Sequence, residues 1–190
     1  MTVRGVATAV VILFPISEGV VALLRRAKSS VARHADEGSL TILWLTIAIS
    51  VGIAMFSAGL FPGAAFPASP FVRDILALLL LGLGLSLRWV SIVVLGRFFT
   101  VDVAIHQGHT VVERGPYRYV RHPSYTGILI AFLGVGVYCG NWVSLLVVIV
   151  PITLAFLRRI KTEELALLRD LGSEYARYRS RTARLIPGVY

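Results

Sequence analysis

Between Gly115 and Gly127 the chain reads GPYRYVRHPSYTG, a basic and aromatic cluster that runs straight into a long uncharged segment. Pro123 suits the first turn of a helix, because its missing N–H is one of the donors left unpaired there and its fixed φ already matches the helix. A helix is expected to begin at this point. Arg121 and His122 then lie at the positive end of its dipole, among free backbone N–H groups, where a carboxylate or phosphate is favoured. Further along, Glu163 and Glu164 form an adjacent acidic pair, Tyr175 and Tyr178 share a helix face at i and i+3, and Arg181 follows. With Tyr125, this set can hold a zwitterion. A helix start with Arg and His takes a carboxylate, a glutamate takes an ammonium or a pair of ribose hydroxyls, and tyrosines offer their faces to an adenine or a sulfonium. S-Adenosylmethionine carries all of these groups. Each member also has a purely structural reading: Thr162 can cap a new helix whose N-terminus favours two acids, the tyrosines can pack at a membrane interface, and tail arginines can meet lipid headgroups.

The elements that must position these residues are membrane helices. Of 190 residues 56% are hydrophobic and 15% charged, against about 25% charge in an ordinary soluble domain. The net charge of +9 does not indicate a nucleic-acid binder, because the basic residues punctuate apolar spans instead of sharing one solvated face. About 20 helical residues cross a bilayer. Spans are expected from about Val6 to Leu24, Leu40 to Leu60 and Asp74 to Leu95, and two more share the uncharged stretch from Pro123 to Leu157. Gly140-Asn141 breaks that stretch, which predicts a tight hairpin with short arms, or one buried helix beside one span. The fold class is therefore an all-α integral membrane protein of about five spans with a cytosolic, helical C-terminal tail. That tail is expected to run as a helix to about Leu171, stop at Gly172 and resume after a cap at Ser173.

Orientation follows from the basic residues, which collect in short cytosolic loops. Residues 25–39 hold Arg25, Arg26, Lys28 and Arg33, residues 96–122 hold Arg97, Arg114, Arg118 and Arg121, and the tail from Arg158 holds eight, so that sixteen of nineteen fall on one side. The N-terminus is expected outside and the GPYRYVRHPSYTG stretch in the cytosol. Glu18 and Arg88 fall inside spans, where each charge costs about 2.5 to 3.5 kcal/mol. They either snorkel or pair with each other, or Arg88 lines a cavity that opens to the cytosol and contributes to substrate binding. Gly82-Leu83-Gly84 precedes Arg88 and permits close approach of a helix or a ligand, and Gly136 and Gly140 have the GxxxG spacing of packed helices. Cys139 is the single cysteine and reads as a small apolar residue. His106 and His109 lack a third ligand, so no metal site is assigned.

HExxH, P-loop and Rossmann patterns are absent. The run LGRFFTVDVAIHQGHTVVERGPYRYVRHPSYTG, with the tail elements EE, GSEYARYRSR and LIP, resembles the isoprenylcysteine carboxyl methyltransferase family and its bacterial relatives, which are similar to the membrane phospholipid methyltransferases. The resemblance covers roughly residues 74–190, which sets a methyltransferase core apart from a two-span region at 1–73. It implies an S-adenosylmethionine-dependent enzyme of the bacterial inner membrane that methylates a lipophilic acceptor, either a prenylated cysteine carboxylate or a lipid head group. Carried over to this chain, the cofactor pocket comprises Arg121, His122, Pro123, Tyr125, Glu163 and Glu164, with Arg181 near the reacting centre. The reading of the residues themselves adds Tyr117, Tyr175 and Tyr178 to the cofactor site and Arg88 to the substrate side. Thr182-Ala183 stands where the eukaryotic members carry Val-Pro, and this departure bears on the acceptor more than on the cofactor. The competing readings are a membrane sterol or steroid reductase that holds NADPH through the tail arginines, and a membrane scaffold without catalysis.

Overall fold

A computed structural model of the chain describes residues 2–24, 32–34, 38–101, 104–106 and 110–189. Arg25, Arg26, Lys28 and His109 lie outside the described residues, as does the side chain of His106. Helices α1 (Val3–Leu24), α2 (Ser39–Leu60), α3 (Pro70–Leu95), α4 (Pro123–Cys139) and α5 (Trp142–Arg181) account for most of the chain. Four of them are long and apolar enough to cross a membrane, and α4 is a shorter apolar helix. Their outer faces carry exposed Ile12, Leu13, Ile49, Phe56, Leu79, Leu83, Leu146 and Leu154, the pattern of helices whose solvent is hydrocarbon.

The long spans start slightly earlier than composition suggests. In α3 the Ser69 side chain accepts from Val72 N at 3.3 Å and Pro70 occupies the first turn, so the cap adds a turn ahead of Asp74. The hairpin is unequal. Its first arm, the 17-residue α4, is about 26 Å long and is enclosed, with Ile128, Ala131, Phe132 and Val135 all buried. Gly140 adopts φ 71 at the turn, and Asn141 Oδ1 accepts from Val143 N and Ser144 N to start α5 while its Nδ2 donates to Phe61 O.

The second arm does not end at Leu157. Helix α5 continues through the membrane exit, and Thr162 caps nothing: its hydroxyl donates back to Arg158 O within the helix. No Gly or Pro interrupts the chain there, so α5 persists until Gly172, where φ 53 and ψ −125 kink it. Beyond Arg181 the chain doubles back along the start of α4. Arg121 N donates to Ala183 O at 2.8 Å, His122 N to Arg184 O at 3.0 Å and Thr126 Oγ1 to Leu185 O at 2.8 Å. Composition gave no sign of the short antiparallel pair β1 (Ala32–His34) and β2 (Ala104–His106), which ties the α1–α2 connection to the segment after α3.

Helices α3 and α4 touch backbone to backbone. A Cβ on Gly84 would stand 2.5 Å from Ala131 N, and one on Gly127 would stand 2.7 Å from Arg88 N. Side chains at either position would force the helices apart. Gly82, by contrast, faces open space. Gly136 packs on Leu145 of α5, whereas Gly140 forms the turn, so only the first of these two serves helix packing.

Candidate active site

At the end of the bundle where α4 begins, the tail is clamped onto the RHP turn by one buried carboxylate. Glu164 Oε1 accepts from Arg121 Nε at 2.8 Å, and Oε2 accepts from Arg184 Nε at 3.1 Å. Burial alone would raise the Glu164 carboxyl, but the facing nitrogens of His122, Arg121 and Arg184 outweigh it and hold the group down to about 2. Arg121 Nη1 also donates to the carbonyls of Arg179 (3.0 Å) and Thr182. Arg121 and Glu164 thus spend their polar atoms on joining the tail to the α4 start.

Above this clamp lies a solvent-open cleft, and its walls include Tyr117, Arg121, His122, Tyr125, Glu163, Tyr175 and Tyr178, with Phe98, Phe99 and Leu171. Most of the residues expected from the sequence therefore converge on one cleft. Glu164 lies behind its wall. Pro123 is buried at the first turn of α4 and positions its neighbours. Arg181 stands apart: it is largely exposed and holds Glu113 at 2.5 Å.

Inside the cleft the polar atoms differ in their commitments. Tyr178 Oη donates to Tyr117 O at 2.7 Å, and Tyr125 Oη donates to Glu163 Oε2 at 2.8 Å. The His122 and Tyr125 rings stack, with centroids 5.5 Å apart. Burial, the leading cause in each case, raises the phenols of Tyr117, Tyr175 and Tyr178 well above their usual range, so they remain neutral donors. Two buried atoms in the wall, His122 Nε2 and Tyr175 Oη, have no hydrogen-bond partner. Glu164 Oε1 lies 3.5 Å from that histidine nitrogen without completing a bond. Buried polar atoms left without partners in a cleft wall are what a polar ligand would satisfy.

A second cavity lies deeper, at the level of the spans, and shares Phe99, Thr100 and Tyr125 with the first. Its other walls include Glu18 of α1, Leu43, Trp44 and Ile47 of α2, Arg88 of α3, and Phe156 and Arg159 of α5. Arg88 and Glu18 form a buried ion pair, as one reading of these charges expected, and both also line this cavity. Arg159 escaped the sequence reading because it looked like one more topology-setting cation beside Arg158. It is fully buried, donating to Tyr125 Oη at 3.2 Å, to Ser39 Oγ at 3.0 Å and to Val101 O. Nothing in the spacing of the sequence foretold that role, nor that of Arg184.

A sequence model of the isoprenylcysteine carboxyl methyltransferase (ICMT) family matches residues 75–169, half of the chain. The protein-S-isoprenylcysteine O-methyltransferase of Schizosaccharomyces pombe is 40% identical over 113 residues, covering 58% of this chain and 48% of its own. Protein-S-isoprenylcysteine O-methyltransferase B of Arabidopsis thaliana is 35% identical over 109 residues, with coverage of 56% and 55%. A solved structure of the eukaryotic intramembrane Ras methyltransferase ICMT superposes with a TM-score of 0.63 at 27% identity, covering 77% of this chain and 52% of that one. The matches thus extend over about half the length of each of these relatives.

Proposed function

Because this chain belongs to the isoprenylcysteine carboxyl methyltransferase family, we propose that it transfers a methyl group from S-adenosylmethionine to the carboxylate of a lipophilic, prenylcysteine-like acceptor. The observation that carries this reading is the pairing of two cavities across one wall: a polar, tyrosine-lined cleft and, behind Phe99, Thr100 and Tyr125, a cavity with apolar α2 side chains and the charged Arg88. The first suits a nucleoside-bearing zwitterion, and the second suits a chain with an acidic end. His122 Nε2 and Tyr175 Oη, buried and unpartnered, are the atoms such a donor would engage, with Glu163 available to its ammonium or ribose hydroxyls.

When bound, the donor supplies an electrophilic methyl group on a sulfonium. The chain's own residues have to align the acceptor with it and exclude water. Tyr125 stands at the junction, donating to Glu163 and accepting from Arg159, so it couples the two cavities. Arg88 orients the acceptor carboxylate in this scheme. Arg181, expected near the reacting centre, would reach it only by leaving Glu113. Family membership favours this reading over an NADPH-dependent reductase or a scaffold. The proposed orientation places the N-terminus outside and the cleft in the cytosol, on a bacterial inner membrane.

The test is incubation of membranes containing the protein with methyl-labelled donor and an S-prenylated N-acylcysteine. Label that is released by mild base is an ester and supports the reading. Base-stable label would indicate N-methylation, and no incorporation into the acceptor, with or without binding of S-adenosylhomocysteine, would refute the reading.

A further inference from the structure

Arg88 is engaged along one whole edge before any acceptor arrives. Its Nε donates to Glu18 Oε1 at 2.6 Å, its Nη2 to Glu18 Oε2 at 2.5 Å, and its Nη1 to Ser124 Oγ at 2.7 Å. A guanidinium has five N–H bonds, and those still uncommitted here lie on Nη1 and Nη2. Glu18 and Arg88 are both buried and both line the deeper cavity. Glu18 is the sole acidic residue of α1 and lies outside the stretch matched by the family, 75–169. A carboxylate inside a span is costly, and a well-packed apolar pair would join α1 to α3 at least as stably. Its place beside the cavity therefore calls for a role beyond packing.

Resting on the function proposed above, we propose that Glu18 is a positioning residue of the methyl-acceptor site. It occupies the Nε edge of Arg88, aims the remaining N–H bonds at the acceptor, and weakens the charge with which they hold it. In the transfer, a carboxylate oxygen forms a new O–CH3 bond as the donor's S–CH3 bond breaks. The bonding pair stays on sulfur, the sulfonium becomes a neutral thioether, the acceptor becomes a neutral ester, and no proton moves. The nucleophile thus loses negative charge on the way to the transition state. A cation that grips it at full strength stabilises the starting carboxylate more than the transition state, and so slows the step. By sharing Arg88, Glu18 loosens that grip, giving up acceptor affinity for rate. The first span thereby supplies part of the site, while α2 supplies its apolar wall.

The test uses the full chain in lipid nanodiscs, with an S-prenylated N-acylcysteine as acceptor. Glu18→Gln is expected to lower both the acceptor KM and kcat, each by about three- to tenfold, with affinity for S-adenosylhomocysteine by titration calorimetry within about twofold of wild type. A merely structural role would reduce kcat with the folded fraction and leave KM unmoved. That outcome, an unchanged kcat, or a raised KM overturns the proposal. If Glu18→Gln does not fold, the double variant Glu18→Arg with Arg88→Glu retains a reversed ion pair. It is expected to keep the melting temperature and S-adenosylhomocysteine binding of wild type while losing acceptor turnover at least about tenfold, and turnover near wild type would overturn the proposal. A wild-type chain that binds S-adenosylhomocysteine yet leaves the acceptor unmethylated instead sinks the proposed function, and this inference with it.

Discussion

His122 Nε2 and Tyr175 Oη are buried without a hydrogen-bond partner, so removing either should cost the ligand, and removing the Tyr175 hydroxyl should cost the fold little. Tyr175→Phe and His122→Ala are each expected to weaken S-adenosylhomocysteine binding by about tenfold, about 1.4 kcal/mol. Tyr175→Phe should leave the melting temperature of the unliganded protein near wild type, whereas His122→Ala, which also removes the ring stacked on Tyr125 and facing Glu164, should lower it. Calorimetric titration of the detergent-solubilised variants measures this, and wild-type affinity in both would remove the donor from this cleft. Glu164 behaves in the opposite way. Its carboxyl, held at about 2 against an ordinary 4.5, contributes on the order of 3 kcal/mol to stability. Because the folded value lies below the unfolded one, this contribution is complete above pH 4.5 and is lost as the pH falls toward 2. Melting curves from pH 7 to 3 should show wild type losing stability through that window, while Glu164→Gln starts lower and changes less. Glu163 and Glu164 are indistinguishable as adjacent acids in the sequence, yet one faces the cleft and the other the clamp. Residue type announces what a side chain can bind. It does not announce that Arg184, 20 positions on, has already bound it.

At the level of elements, the contact between α3 and α4 determines where Arg88 meets the first turn of α4. Gly127 lies against the Arg88 backbone and Gly84 against Ala131, which brings Arg88 Nη1 to Ser124 Oγ at 2.7 Å. Gly127→Ala and Gly84→Ala are each expected to destabilise the protein by about 1 to 3 kcal/mol and to depress methyl transfer, whereas Gly82→Ala, which meets open space, should match wild type. Fluorescence-detected gel filtration after heating ranks the three, and equal melting of Gly82→Ala and Gly84→Ala would contradict the packing argument. The spans themselves were legible to within about a turn, because long apolar runs broken at Gly140-Asn141 leave few alternatives, while the Ser69-Pro70 start of α3 came only with its cap. The continuation of α5 was not. Arg158 and Thr162 resemble a boundary by composition, and only the lack of a helix breaker before Gly172 argued otherwise. The β1–β2 pair involves only three residues in each strand, too few for a periodic signal.

Considered as a whole molecule, the helices carry two unlike ends. At one end Arg4 pairs with Asp74 at 2.6 Å and covers the Tyr138 ring, while Thr8 bonds the Tyr138 hydroxyl at 2.8 Å. At the other end are the cleft, the clamp and the α5 extension, and by the sequence count sixteen of nineteen Lys and Arg residues fall in the segments expected on that side. The positive-inside bias is counted over short loops such as these. The orientation proposed above therefore puts the loop of residues 61–69, which is free of charge, outside, and the segment leading into α4 in the cytosol. With Cys139 replaced by Ser, a cysteine introduced for Gly63 should react with a membrane-impermeant maleimide in intact cells. One introduced for the exposed Tyr119 should react only after permeabilisation. This result matters for chemistry as well as topology, because a cleft that takes its donor from the cytosol and an acceptor cavity walled by α1 and α2 within the bilayer can load independently. The reverse labelling pattern would place the cleft away from the cytosol and leave the proposed donor without access.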